Sequence, residues 1–265
     1  MVQSNPLHER YPDPEIRAAV ARRLMRAWLK ESPGRDLVAA EQHELERVLP
    51  DLFGYHLVQL GGNRGREFCS ASRILNRHVV EGPGTEDEGH ADLFADPRAV
   101  PLETGSVDVV VLPHTLDLEP DPWAILAEAE RVLVPEGRLV VLGINPWSSW
   151  GVYKFIQVMG GDPLWNSIFL SQSRIGHWLG ELDLHLEDNH GFFYRPPIND
   201  PRWMERLMVL EDAACAGLPL PAGIYLLVAV KRVATLTPVK PAWHRRLSPS
   251  RVGVFKPSTG FGKVS

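Results

Sequence analysis

Residues 107–112 read Val-Asp-Val-Val-Val-Leu, a nearly unbroken β-branched run of the kind buried on both faces of a parallel sheet. It does not stand alone. Tyr-His-Leu-Val-Gln-Leu at 55–60, His-Val-Val-Glu at 78–81 and Arg-Leu-Val-Val-Leu-Gly-Ile at 138–144 are further short apolar strands, and His-Ala-Asp-Leu-Phe-Ala-Asp at 90–96 offers another. Helical segments separate them: one through Phe68, Ala71 and Ile74, and one from Asp121 with Ile125, Leu126, Ala129, Val132 and Leu133 on a single face, ended by Pro135 and Gly137. Strand and helix alternating four or five times specify an α/β fold, a doubly wound, mostly parallel, Rossmann-like sheet with helices on both faces. After Asn145 the pattern loosens. His185–Arg195 reads as a strand, Pro201–Gly217 as a helix and Gly223–Val233 as a final strand.

Two helices precede the sheet. Residues 13–31 carry an N-cap aspartate, Pro14 in the first turn, and Ile16, Val20, Leu24 and Trp28 at helical spacing. Leu37, Leu45, Val48 and Leu49 mark the apolar side of the second. The expected organisation is an N-terminal helical cap over 1–50, an α/β domain over 51–233 with a substrate or lid insertion around 146–222, and a basic, disordered tail over 234–265.

Composition narrows the function classes. The 265 residues carry a net charge of -5, yet residues 231–265 hold eight Lys/Arg and no acid, leaving 20 basic against 33 acidic side chains before them. The tail lacks the aromatic interleaving of a nucleic-acid platform, having only Trp243, Phe255 and Phe261, so a solvated tail is the better reading. No apolar run reaches the roughly 18 residues of a membrane span. The first twenty residues have no signal-peptide character, and Cys69 and Cys215 make neither a disulfide framework nor a metal site. The expected compartment is the cytoplasm.

In such a sheet ligands bind at the carboxyl ends of the strands. The first strand ends in Gln59-Leu60-Gly61-Gly62-Asn63-Arg64-Gly65, where glycines let backbone approach a ligand and a helix N-terminus would offer amide donors. Glu81 ends the second strand, placed to accept the two hydroxyls of a ribose. Asp96 follows the third.

These segments, with Ala-Asp-Pro-Arg-Ala-Val-Pro-Leu-Glu-Thr-Gly-Ser-Val-Asp-Val-Val-Val at 95–111 and Ala-Ile-Leu-Ala-Glu-Ala-Glu-Arg-Val-Leu-Val-Pro-Glu-Gly at 124–137, resemble the class I S-adenosylmethionine-dependent methyltransferases, in their small-molecule branch. The likeness runs well from Tyr55 to Pro146. It implies S-adenosylmethionine as cofactor, S-adenosylhomocysteine as product, and methyl transfer to a small or medium-sized acceptor. By the same resemblance Gln59, Gly61 and Gly65 line the methionine and ribose portions, Glu81 holds the ribose, Asp96 meets the adenine amino group with Ala95 or Pro97 against the ring, and Leu112, Pro113 and His114 border the sulfonium. Gln59 stands where the family has an acid, and Asn63 where it has a middle glycine.

Methyl transfer from a sulfonium needs positioning more than covalent help. His114, at the end of the fourth strand, is the candidate base where the acceptor must lose a proton. Asp117 and Glu119 read as solvated loop carboxylates. Asn145-Pro146-Trp147 reads as a strand-end turn, and Trp147, Trp150, Tyr153, Phe155 and Trp165 as core packing or an apolar lid. Two alternatives stay open: a non-catalytic methyltransferase-like binding or regulatory protein, and a nicotinamide-dependent oxidoreductase. The latter is disfavoured because residues 61–66 are not G-x-G-x-x-G and Tyr153-Lys154 lacks Tyr-x-x-x-Lys spacing.

Overall fold

A computed structural model describes residues 13–62, 66–83, 91–159, 163–198 and 220–232. Two helices come first, α1 (Pro14–Leu29) and α2 (Gly34–Val48). The sheet follows as β1 (His56–Leu60), β2 (Asn76–Glu81), β3 (Leu93–Phe94), β4 (Val107–Pro113), β5 (Leu133–Ile144), β6 (Leu184–Phe192) and β7 (Ile224–Lys231). Between them lie α3 (Thr115–Leu118), α4 (Pro122–Val132), α5 (Ser149–Met159) and α6 (Gln172–Glu181). Strand order is β3-β2-β1-β4-β5-β7-β6, with β1 to β5 parallel and β7 antiparallel to both its neighbours. Chain order reverses between β1 and β4, and the site expected from the sequence lies there.

The β4 run is explained by its period. Val109 and Val111 join the apolar layer that also holds Leu37, Leu45 and Trp150, whereas Val110 and Leu112 join the layer of Ile125, Leu126 and Tyr225. Both faces of the strand are covered, so neither needs polar residues. Each such side chain contributes about 1.5–3 kcal/mol through burial.

The caps follow the sequence. Asp13 Oδ1 accepts the Glu15 amide at 2.8 Å, and Asp121 Oδ1 accepts that of Ala124 at 3.1 Å. Three expectations are corrected. The buried residues of α1 are Ala18, Arg22, Met25, Arg26 and Leu29, while Ile16 is exposed, because the helix turns two arginines inward along with its apolar residues. Helix α4 ends at Val132, before Pro135, whose ring disfavours helical geometry in the preceding residue; Leu133 is already extended. The stretch through Phe68, Ala71 and Ile74 is a 3-10 turn over Arg66–Cys69, not a helix. Ser72 Oγ there accepts the Ile74 amide at 3.2 Å, a local bond that competes with helix formation. The expected helix at 201–217 and the tail lie outside the described residues.

Candidate active site

The turn after β1 is built by conformation. Gly61 and Gly62 both have positive φ, +68° and +81°, which side chains resist. A Cβ on Gly61 would stand 3.0 Å from Thr115 Cγ2, and one on Gly62 would strike Pro113, the last residue of β4. The Gly61 amide donates to the Val80 carbonyl at 2.7 Å, tying the turn to the residue before Glu81. Gln59 is buried and directs its amide inward: Nε2 donates to the Gly61 carbonyl at 3.1 Å, and Cys69 Sγ lies 3.6 Å from Oε1. Gln59 therefore braces the turn. Burial pushes the Cys69 thiol up to about 12, so it is an inert donor. Gly65 lies outside the described residues.

Glu81 is the last residue of β2 and is 1% exposed. Its carbonyl accepts the Ala95 amide at 2.9 Å, which brings the Asp96-Pro97 turn alongside. Asp96 is engaged on both oxygens by Arg98, Nε to Oδ1 at 2.9 Å and Nη2 to Oδ2 at 2.6 Å. Those bonds hold the Asp96 carboxyl below the usual range, against a smaller opposing effect of burial. Arg98 Nη1 also reaches Glu15 Oε1 of α1 at 2.8 Å. Pro97 and Pro113 are both buried.

His114 follows β4 in the left-handed conformation, φ 56°. It is 3% exposed, with Nε2 2.5 Å from Glu41 Oε1 of α2 and Nδ1 3.0 Å from Asp117 Oδ2. Burial alone would lower its pKa, but the Glu41 charge and the bonds to Asp117 and Glu41 override that and raise it to about 9. The raised pKa favours an imidazolium that donates to both carboxyl groups, a form with no lone pair to offer as a base. Asp117 and Glu119, expected to be solvated, are buried, and burial raises both carboxyls despite His114 and Arg22 beside them. Asp117 Oδ2 also accepts the Ile144 amide at 3.2 Å, whereas Oδ1 is buried without a hydrogen-bond partner among the described residues.

Arg22 of α1 is 4% exposed and pairs with Glu119 through Nη1, while Nη2 donates to the Pro83 carbonyl at 2.7 Å. A Cβ on Gly82 would lie 2.9 Å from Arg22 Cζ, so the guanidinium rests directly on the backbone that follows Glu81.

Neither Arg22 nor Glu41 was singled out by the sequence reading, yet a signal existed. Glu41 is the charged member of the stripe Leu37-Glu41-Leu45-Val48, and Arg22 lies with Arg26 among the buried Ala18, Met25 and Leu29. A buried charge at such a position needs a partner elsewhere in the fold.

The aromatic residues after β5 divide. Trp150 and Trp165 are buried, Trp150 packing edge-on to Trp28 of α1 at 5.9 Å, whereas Trp147 and Phe155 are 79% and 67% exposed. Asn145 Nδ2 donates to the Ala222 carbonyl at 3.0 Å, as expected of a strand-end turn.

The profile of the "Methyltransferase domain" family matches residues 84–141. Over 219 residues the chain is 29% identical to the uncharacterised protein YafS of Escherichia coli, covering 82% of this chain and 86% of that one. It is 28% identical over 116 residues to a ubiquinone biosynthesis O-methyltransferase of Xanthomonas oryzae, covering 40% of this chain and 47% of the relative. An S-adenosylmethionine-dependent methyltransferase of Thermotoga maritima shares the fold, with a TM-score of 0.52 and 16% identity over 74% of this chain and 89% of that one. Residues 84–141 thus match a methyltransferase-domain profile, and the sheet as a whole shares the fold of an S-adenosylmethionine-dependent methyltransferase.

Proposed function

We propose that the chain binds S-adenosylmethionine at the carboxyl edge of β1, β2 and β3 and transfers its methyl group to a small or medium-sized acceptor. The observation that carries this reading is the union of the Gly61-Gly62 turn with Glu81 through the Gly61 to Val80 hydrogen bond. It sets a side-chain-free backbone beside a buried carboxylate, a donor set that suits a ribose lying across two strand ends. The fit rests on that chemistry: Glu81 accepts from two hydroxyls, Asp96 accepts from an amino group, and Pro97 offers an apolar surface to a flat ring.

When bound, the cofactor supplies a methyl group already activated at sulfur. The chain's part is to hold an acceptor in line and to keep water away. Pro113 and Gly62 border the methyl end and place no polar side chain there. His114, held as an imidazolium, positions Asp117.

One observation favours a second reading. Gln59 turns its amide to the Gly61 carbonyl and leaves no acid in the turn for the cofactor's ammonium group, which fits a methyltransferase-like binding module without catalysis. Calorimetric titration with S-adenosylmethionine and S-adenosylhomocysteine separates the two. Micromolar affinity supports the enzyme; no binding by a folded chain supports the module.

A further inference from the structure

The cap joins the sheet through two buried charge pairs that bracket one short element. Glu41 of α2 meets His114 immediately before α3, and Arg22 of α1 meets Glu119 immediately after it. All four side chains are 5% exposed or less. Both pairs converge on the turn after β4, where an acceptor would enter. The Arg22 guanidinium reaches furthest. It lies against Gly82, donates to the Pro83 carbonyl, and contributes favourably to the charge on Asp96. Its surroundings are the strand-end positions to which a ribose and an adenine are assigned above.

From this geometry we infer that Arg22 is an affinity-determining residue of the candidate cofactor site. The cap's own guanidinium occupies the Glu81-Gly82-Pro83 edge, and a nucleoside reaches that edge only after Arg22 withdraws and α1 lifts. The inference rests on the cofactor reading above and goes beyond it. Its physical content is competition. A buried cation already satisfies Glu119 and the Pro83 carbonyl, so a ligand entering there has to replace those bonds, and the apparent affinity is reduced by the fraction of molecules in the open state. The buried face of α1 explains how the arrangement persists: Ala18, Met25 and Leu29 pack on either side of Arg22 and Arg26, so the Arg22 guanidinium is carried inward with that packing.

The test compares the full chain with R22M and with R22M/E119Q. Methionine keeps the packing stem, and the glutamine removes the carboxylate that R22M alone would strand. S-adenosylhomocysteine is titrated calorimetrically into each, with circular dichroism as the folding check and hydrogen exchange of the α1 amides with and without ligand. The expected result is binding about tenfold tighter in R22M/E119Q, as for a site open about a tenth of the time, with faster α1 exchange in the liganded natural chain. Binding by the variant alone would be the extreme form of the same result. Equal or weaker binding in a folded variant, with the natural chain binding, would overturn the inference and make Arg22 a bystander or a ligand contact. No binding by any folded chain would instead remove the cofactor reading, and the inference with it.

Discussion

Glu41 Oε1 lies 2.5 Å from His114 Nε2, joining two buried side chains 73 positions apart. The bond fixes the second cap helix to the end of β4. Together with Asp117 it favours the protonated form of a histidine that the sequence offers as a base.

His114 makes stability depend on pH in a set direction. Its pKa rises from 6.5 to about 9 on folding, so the protonated ring contributes fully below about pH 6.5 and the contribution is lost as pH climbs through 9. A shift of this size corresponds to an upper bound on the order of 3 kcal/mol. The urea midpoint of the natural chain should therefore fall between pH 7 and 9.5, and that of His114→Asn should change far less. Asparagine is the control of choice because it tolerates the left-handed backbone at this position. Parallel pH profiles for the two proteins would refute the assignment.

Glu81→Gln should weaken S-adenosylhomocysteine binding by ten- to a hundredfold, the range of one or two charge-assisted hydrogen bonds lost at about 1.5–3 kcal/mol in total. The amide keeps the shape of the buried side chain, so circular dichroism should be unchanged. Undiminished affinity would move the ribose away from β2.

Much of this architecture is legible in the sequence because the β4 run and the α4 stripe each declare their partners through period alone. The site is less so. Asp117 and Glu119 look like loop carboxylates, since nothing near them in sequence shows that α1 and α2 will close over them. Gln59 looks like a ligand contact, and only the fold shows its amide turned to Gly61. The charges that determine the pocket come from the cap, some 70 to 100 residues away, and are visible beforehand only as misfits in apolar stripes.

Gln59→Glu tests the inward orientation of that side chain. A carboxylate cannot donate to the Gly61 carbonyl and would face it at close range, leaving a buried charge with only the weak Cys69 thiol as a donor. The expected cost is about 1–3 kcal/mol of stability, seen as a lower denaturant midpoint, with no gain in cofactor affinity. Tighter binding at unchanged stability would show that position 59 faces the ligand after all.

Gly62→Ala probes the turn itself. The residue sits at φ +81°, and its added methyl would overlap Pro113, so the substitution combines backbone strain of about 1–3 kcal/mol with a steric clash against the end of β4. Gly105→Ala is the matched comparison: it shares a positive φ, +65°, but has nothing within 4 Å of the new methyl. Thermal melts should rank Gly62→Ala well below Gly105→Ala, and only the former should lose cofactor affinity, because only it displaces the backbone beside Glu81. Equal melting temperatures would mean that the β1 turn relaxes freely, which the contact between Gly62 and Pro113 forbids.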